Sequence, residues 1–238
     1  MEMKKMLMAV FVIALIALTG CIQTQPTEDN TINVQGSSEL TFKPDKAEVS
    51  AGFTIVKNTA AEAQNEANIV INAIIDGLRY KGIQESDIQT DQLNLYEEKT
   101  WENNDYVSKG WRATQTLTIK TSDLTKVGTI VDICTKNGAN QINGINFGLT
   151  DAKEQEYKQQ ALAEATKNAK SKAETIASSL GAQLGDIKSV SESNYYYRPY
   201  MYAMSSKSVG ADMVAEAANV LPSDVSITAD ISIVYKIK

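Results

Sequence analysis

The fold class is decided by the stretch VSITADISIVYKI, residues 225–237, in which apolar side chains occupy every second position. Alternate side chains of an extended strand point to opposite faces, so this period of two predicts a strand with one buried face. It is the clearest alternation in the chain, and it predicts a β-sheet framework. A shorter run with the same alternation, Val49 to Ile55, predicts a second strand.

Two segments carry the period of an α-helix instead. Residues 60–80 place apolar side chains at helical spacing, and Thr59 with Glu62 forms a capping-box signature at their start. A longer segment runs from Asp151 to about residue 180 and places alanines along one face. Because alanine occupies little volume, this face predicts close packing of the helix against a sheet or another helix.

Shorter patterns complete the order of elements. Leu93 and Leu95 predict a strand that turns at residues 103–105 and returns over residues 111–119, which makes a hairpin. Three further patterns predict a short helix ending near residue 136, a strand at 141–148 and a strand near 186–192.

This order of elements favours an α+β fold, in which a largely antiparallel sheet is packed by helices on one side. Hairpins account for the antiparallel pairs, and the longer connections contain the helices. We find no break in composition between residues 32 and 238, which predicts a single α/β domain over that range.

The composition excludes most familiar enzyme chemistry. The 238 residues include 43% hydrophobic and 22% charged residues, two cysteines and no histidine. Without an imidazole the chain cannot build a Ser-His-Asp triad, a Cys-His pair or an HExxH zinc site. The sequence also lacks a glycine-rich phosphate loop and a GxSxG elbow. We therefore expect no enzymatic activity, no metal and no cofactor.

The N-terminal segment predicts export from the cytoplasm. Lys4 and Lys5 precede an apolar run, and the fifteen residues from Met6 to Gly20 would span about 22 Å as a helix. A hydrocarbon core is about 30 Å thick, so this length fits a secretory signal better than a retained membrane span. We predict that residues 1–20 are a signal peptide.

The end of this segment resembles a lipoprotein signal, because Leu18-Thr19-Gly20-Cys21 has the form of a lipobox. The resemblance implies that the Cys21 thiol is alkylated by a lipid and becomes the new N-terminus, which anchors the protein to the membrane. Residues 21–31 would then be the lipidated N-terminus and a flexible tether. The alternatives are an ordinary signal peptide with a chance cysteine and a short uncleaved anchor.

Charge argues against nucleic acid as a partner. Without residues 1–20 the chain keeps 21 basic and 28 acidic residues, a net charge of −7. A body of this charge repels phosphates and anionic headgroups. We therefore expect no nucleic-acid partner, and membrane contact through the lipid on Cys21 alone.

Isolated candidate residues have structural interpretations. Cys134 falls on the apolar face of the short helix, where a buried thiol acts as a small hydrophobe. With Cys21 lipidated, Cys134 would have no partner for a disulfide. Glu97 and Glu98 are adjacent in a strand and would face opposite sides, so they would not converge on one substrate. The other acidic residues of interest predict turns and helix caps instead of metal ligands: Asp45, Asp123, Asp151 and Glu154.

One segment is unusual for a surface loop, because it concentrates tyrosine, methionine and arginine. These residue types are enriched at the centres of protein interfaces, and they indicate a contact with a second copy or a protein partner. Stacked tyrosines would also suit a flat ligand or a sugar, and packing of a hairpin arm on its own domain is the third alternative. The candidate contact residues are Tyr195, Tyr196, Tyr197, Arg198, Tyr200, Met201 and Tyr202.

Four segments resemble those of a SIMPL-domain protein. They are INVQGSSELTFKPDKAEVSAGF (32–53), GIQESDIQTDQLNLY (82–96), KGWRATQTLTIKTSDL (109–124) and ALAEATKNAKSKAETIASSLGAQLGDI (161–187). The family includes periplasmic and outer-membrane immunogenic proteins of bacteria and surface lipoproteins of archaea. The resemblance implies an extracytoplasmic α/β protein with a tendency to form oligomers and loose links to envelope stress. It implies no catalytic residues.

Two function hypotheses follow. The first is a non-catalytic cell-envelope protein, held by lipid at the extracytoplasmic face of the membrane, that forms a homo-oligomer or docks a partner. The second is an extracytoplasmic small-molecule binding protein that uses the tyrosine-rich loop 195–202 as a lid.

Overall fold

The computed structural model describes residues 30–202 and 222–238, and within them the chain forms eight strands and three α-helices. The strands are β1 (Thr31–Phe42), β2 (Lys46–Lys57), β3 (Ile88–Glu102), β4 (Asp105–Thr121), β5 (Gln141–Gly148), β6 (Leu184–Arg198), β7 (Tyr200–Tyr202) and β8 (Val225–Ile237). The helices are α1 (Ala60–Tyr80), α2 (Val127–Lys136) and α3 (Asp151–Ser179). The predicted signal peptide, Cys21 and most of the predicted tether lie outside the described residues.

The strands form two antiparallel sheets. A three-stranded sheet has the order β1-β8-β6, and a five-stranded sheet has the order β3-β4-β2-β5-β7. The α+β class with antiparallel pairing is confirmed, and the predicted single sheet is replaced by two. The hydrophobic alternation identifies strands but not their neighbours, and the turn around Pro44 directs β1 and β2 into different sheets.

The five-stranded sheet is covered by α1 and α2 with large side chains between them. Phe53 of β2, Leu78 of α1 and Ile130 of α2 are all buried in this core. Helix α1 begins with the predicted capping box. The Glu62 backbone N–H donates to Thr59 Oγ1 and the Thr59 backbone N–H donates to Glu62 Oε2, each at a distance of 3.2 Å. The sequence prediction for this helix is confirmed.

The three-stranded sheet is covered by α3, which approaches it closely. Five alanines of α3 are buried against β1 and β8, namely Ala161, Ala165, Ala169, Ala173 and Ala177. Gly36 of β1 lies directly beneath them, because a Cβ atom built there would be 1.9 Å from the carbonyl oxygen of Ala165. The predicted close packing of the alanine face is confirmed.

The turn between β1 and β2 also holds the start of α3. The Asp45 carboxylate accepts hydrogen bonds from the backbone N–H and the hydroxyl of Thr150, at 2.7 and 2.8 Å, and the Asp45 N–H donates to the Gly148 carbonyl. Thr150 is the residue before the first turn of α3. Asp45 therefore joins the two sheets and does more than reverse the chain.

The predicted hairpin is confirmed as β3 and β4. Asn103 and Asn104 form its turn with φ angles of 48° and 70°, the conformation that two-residue hairpin loops require. The hairpin is longer than predicted, and β3 is an edge of the five-stranded sheet. None of the helices within the described residues combines enough length with enough hydrophobicity to cross a membrane.

Candidate functional site

The tyrosine-rich segment is strand, not the loop that the sequence predicted. Residues 195–198 are the end of β6, which pairs with β8, and residues 200–202 are β7, which pairs with β5. Pro199 lies between the two strands, at the point where the chain leaves one sheet and joins the other. Both halves of the segment are held by backbone pairing, whereas the ligand hypothesis treats residues 195–202 as a lid.

Strand alternation turns two of the tyrosines toward α3. The Tyr195 hydroxyl donates a hydrogen bond to the Glu154 carboxylate at 3.1 Å, and the Lys158 ammonium lies 4.5 Å from the centre of the Tyr195 ring. Burial, and after it the negative charge of Glu154, raises the pKa of Tyr195 to about 12. The Tyr197 hydroxyl accepts a hydrogen bond from the Leu149 backbone N–H at 2.7 Å, and burial raises its pKa.

Tyr200 also belongs to the interior. It packs against the hydrophobic cores of both sheets, and its ring centre lies 6.3 Å from that of Phe147. For Tyr195, Tyr197 and Tyr200, therefore, packing within the chain is the role that the structure shows.

The alternate positions of the segment face outward. Tyr196 is 56% exposed and Met201 is 71% exposed, and Arg198 is exposed as well. Tyr202 lies on the same face of β7 as Tyr200, opposite Ile145, but is 41% exposed. We call these four residues the outer tyrosine surface. The segment thus holds two sets of side chains, and only the outer tyrosine surface is available for contact with another molecule.

The adjacent carboxylates Glu97 and Glu98 each have a cation of their own. Glu97 contacts Lys99 at 2.7 Å, whereas Glu98 accepts from the Arg112 Nε and Nη2 atoms at 3.0 and 2.5 Å. Hydrogen bonds from Lys99 and Ser108 lower the pKa of Glu97. A raised pKa suits a general acid at neutral pH, and the pKa of Glu97 is moved in the opposite direction.

The acidic residues predicted to form turns and helix caps have local structural contacts. The Asp123 carboxylate accepts a hydrogen bond from the Thr125 backbone N–H at 3.1 Å, and the hydrogen bond from the Thr125 side chain lowers its pKa. Asp151 and Glu154 lie in the first turn of α3. Within residues 30–202 and 222–238, no group of three His, Cys, Asp or Glu side chains is placed to hold a metal ion.

Cys134 is fully buried in α2. Burial raises the pKa of its thiol to about 12, because the low-dielectric core disfavours the thiolate. The prediction of a core thiol is confirmed.

A shallow groove of about 530 Å³ runs between β1 and α3. Its polar groups already have partners, since the Lys172 ammonium donates to the Gln35 carbonyl at 2.8 Å and Asn168 Oδ1 accepts from the Ser37 backbone N–H. The groove is remote in sequence from the outer tyrosine surface, and its side chains bridge the helix to the strand.

Sequence reasoning missed an aromatic pair at the tip of the hairpin. Trp101 and Tyr106 lie directly opposite each other in β3 and β4, with ring centres 4.8 Å apart in a T-shaped arrangement. They are 56% and 66% exposed. The sequence feature that would have predicted this pair is the placement of one aromatic residue two positions before and one two positions after the Asn103-Asn104 turn. Composition alone does not reveal that placement.

Comparison with known proteins supports the family resemblance. The model of the SIMPL family, described as a protein of unknown function (DUF541), matches residues 32–235. The 26 kDa periplasmic immunogenic protein of Brucella melitensis is 27% identical over 242 residues, which cover 98% of this chain and 94% of the relative. The uncharacterized protein YggE of Escherichia coli K12 is 28% identical over 200 residues, which cover 81% of this chain and 80% of that relative.

Proposed function

Because the chain belongs to the SIMPL family, we propose that it acts outside the cytoplasm as a non-catalytic cell-envelope protein that assembles with further copies of itself or docks a protein partner. A lipid on Cys21 holds it at the extracytoplasmic face of the membrane. Residues 1–20 direct its export and are removed, and residues 21–31 separate the folded body from the anchor.

The extracytoplasmic location is supported by two independent observations. The matched Brucella relative is named a periplasmic protein, and it aligns with 98% of this chain. The N-terminal segment has the charge and length of a secretory signal and ends in the lipobox-like Leu18-Thr19-Gly20-Cys21.

The outer tyrosine surface carries the assembly part of the proposal. Its side chains project from strands β6 and β7. On these strands Tyr195, Tyr197 and Tyr200 make contacts with the interior of the protein. A surface that is already rigid loses little conformational entropy on binding, and Tyr, Met and Arg are enriched in interface cores. The arrangement therefore suits a protein contact better than a mobile lid.

The same description supports a role without catalysis. The Cys134 thiol is buried and its pKa is about 12, so it is not a nucleophile at neutral pH. Glu97 and Glu98 are engaged by Lys99 and Arg112. The chain contains no histidine to act as a general base.

Sedimentation velocity of the full chain in a density-matched detergent tests the assembly. We expect a protein mass above that of one chain, which falls in a double variant carrying Tyr196→Ser and Met201→Ser. The matched control carries Ile187→Ser and Val190→Ser, two changes at exposed apolar positions of the same strand β6, and should keep the wild-type mass. Equal masses for the two variants would contradict a role for the outer tyrosine surface.

Mass spectrometry of the full chain, expressed in cells and extracted from their membranes, tests the anchor. We expect a chain that begins at Cys21 and carries the added mass of acyl chains. A Cys21→Ser variant should lose that mass and leave the membrane fraction. An unmodified Cys21 in the mature wild-type protein would contradict the anchor and leave the assembly result unaffected.

A further inference from the structure

A second surface for self-association lies at the free edge of β3. An edge strand presents unpaired backbone N–H and C=O groups, and it can pair with a strand of another chain unless it is short, bulged, covered or lined by charges that repel the second strand. The two described sheets have four edge strands, β1, β6, β3 and β7, and residues 105–110 of β4 are also free on the side away from β3, because β2 pairs with β4 only from Trp111 onward. They differ in how far they are protected.

Three of the four edges are protected. On β1, the side chains of Lys172 and Asn168 in α3 bind the Gln35 carbonyl and the Ser37 N–H. Strand β7 has only three residues. Strand β6 shifts its register against β8 at three places, and such bulges bend an edge away from regular pairing.

Strand β3 is long and regular along its exposed part. It has fifteen residues, and β4 is its one neighbouring strand within the described part of the chain. Its own bulge is at Asp91, and the second irregularity inserts the extra residue, Lys109, in β4. From Gln92 to Glu102 the backbone of β3 therefore alternates without interruption.

The side chains of this regular part form a self-complementary pattern. Alternation places Leu95, Glu97, Lys99 and Trp101 on one face, in the order apolar, acidic, basic, aromatic. When the β3 strand of a second copy is aligned antiparallel, with the two Glu98 residues opposite each other, each Leu95 lies opposite the Trp101 of the other copy. The same register brings each Glu97, which already contacts Lys99 of its own chain, opposite the Lys99 of the second copy. The four charges then alternate in sign, so both kinds of pair are favourable.

We propose that two copies of this chain associate through antiparallel pairing of β3 with β3 about Glu98, which joins the two five-stranded sheets into one of ten strands. This interface goes beyond the proposed function and is separate from the outer tyrosine surface. It covers Trp101 and gives the exposed Leu95 an apolar partner. The pairing is two-fold symmetric, as expected for a closed dimer.

Neighbouring registers lose the complementarity. Centring the pair on Glu97 would set that carboxylate against its own copy and Leu95 against Lys99. Centring it on Lys99 would set two ammonium groups together and Glu97 against Trp101. At the proposed centre, each Glu98 already has an Arg112 guanidinium of its own chain at hydrogen-bond distance, so the two central carboxylates are neutralised.

Cysteine cross-linking of the full chain tests the register. In Glu98→Cys the two cysteines would face each other with Cα atoms about 4.5 to 5.5 Å apart, within the range of a disulfide. In the control Thr100→Cys, an exposed position on the same strand, the two cysteines would be about 14 Å apart. Mild oxidation should give a covalent dimer with Glu98→Cys and none with Thr100→Cys above the wild-type background. Equal yields from both positions would overturn the proposed register.

A charge swap tests the pairing without adding a cysteine. Lys99→Glu would place acidic side chains opposite each other twice in the dimer, and we expect the dimer dissociation constant to rise about tenfold. The variant that combines Glu97→Lys with Lys99→Glu restores both pairs in reverse and should return to the wild-type value. Failure of the double variant to recover, with circular dichroism unchanged, would overturn the proposal.

The two interfaces are separable in these experiments. If the Tyr196→Ser and Met201→Ser variant keeps its mass while Glu98→Cys cross-links, the outer tyrosine surface is wrong and β3 pairing stands. If the wild-type protein is multimeric but Glu98→Cys does not cross-link, β3 pairing is wrong and the proposed assembly remains. A wild-type chain that sediments as a monomer over the whole concentration range would overturn both.

Discussion

The two cores of the molecule exclude water in opposite ways. The core of the five-stranded sheet is filled by large side chains such as Phe53, Ile74 and Phe147. The core of the three-stranded sheet instead brings the backbone of α3 close to β1, with Gly36 at the point of contact. A stripe of alanines therefore excludes water by another route, because it replaces side-chain volume by a shorter distance between helix and strand.

Close approach also allows polar contacts that a thicker core would prevent. The Ser38 hydroxyl donates to the Ala161 carbonyl at 2.7 Å, and the Lys172 ammonium donates to the Gln35 carbonyl at 2.8 Å. The helix therefore protects the edge of β1 while it covers the sheet. In the five-stranded sheet the outer half of the edge strand β3 is exposed instead, apart from the half-buried Glu97 and Glu98.

The largest expected effect comes from removing volume in the side-chain core. Phe53→Ala should lower the free energy of unfolding by about 3 to 5 kcal/mol, because it deletes a fully buried ring from a core that relaxes only in part. Guanidinium denaturation followed by circular dichroism measures the change. Ile69→Ala, at an exposed position of α1, is the control and should change the free energy by less than about 0.5 kcal/mol.

The opposite change should damage the other core. Gly36→Ala adds a methyl group where the Ala165 carbonyl leaves no space, and we expect it to lower the free energy of unfolding by about 1 to 3 kcal/mol. The neighbouring Ser37→Ala removes an exposed hydroxyl and should have almost no effect in the same denaturation experiment. Equal midpoints for the two variants would show that the helix does not approach as closely as described.

A smaller effect should follow from loosening the link between the cores. Tyr197→Phe removes the oxygen that accepts from the Leu149 N–H, and we expect a loss of about 1 kcal/mol, since Tyr197 is half-buried. Tyr196→Phe changes an exposed neighbour and is the control. If the link couples the cores, thermal unfolding of Tyr197→Phe should broaden or separate into two steps, whereas an unchanged curve would contradict the coupling.

The last expected effect is absent at neutral pH and appears only at alkaline pH, with one contributing group in each core. The pKa of Cys134 is raised from 9.0 to about 12, and that of Tyr195 from 10.0 to about 12. A raised folded-state pKa means that the stabilisation is complete below the unfolded pKa and is lost as pH rises toward 12. Denaturation midpoints should fall between pH 9 and 11, and Tyr195→Phe should reduce that fall above pH 10. A midpoint that is constant over this range would contradict the burial of both groups.

Local patterns predicted most of the elements, because their causes are local. The capping box of Thr59 and Glu62, the alanine face of α3 and the alternation of residues 225–237 each depend on residues close in sequence. The division into two sheets was not predictable in this way. It depends on contacts such as that of Asp45 with Thr150, which are 105 residues apart.

The candidate site was predicted in part for a related reason. Composition identified the tyrosine-rich segment, but tyrosine is compatible with both faces of a strand, and the sequence does not say which side α3 covers. Tyr195 and Tyr197 proved to be interior, and Tyr196 exposed, only once the neighbouring β8 and α3 were known. The role of Cys21 stays a prediction, because it lies outside the described residues.

The pairing of β1 with β8 has a consequence for the order in which the protein folds. Their side-chain hydrogen bond from Ser232 to Asn33 spans 199 residues, so β1 leaves the ribosome or the export channel long before its neighbour exists. Contacts this distant in sequence close slowly. Until β8 arrives, β1 and the alanine face of α3 have no sheet to complete, and this half of the chain is the one that a chaperone would have to shield from aggregation.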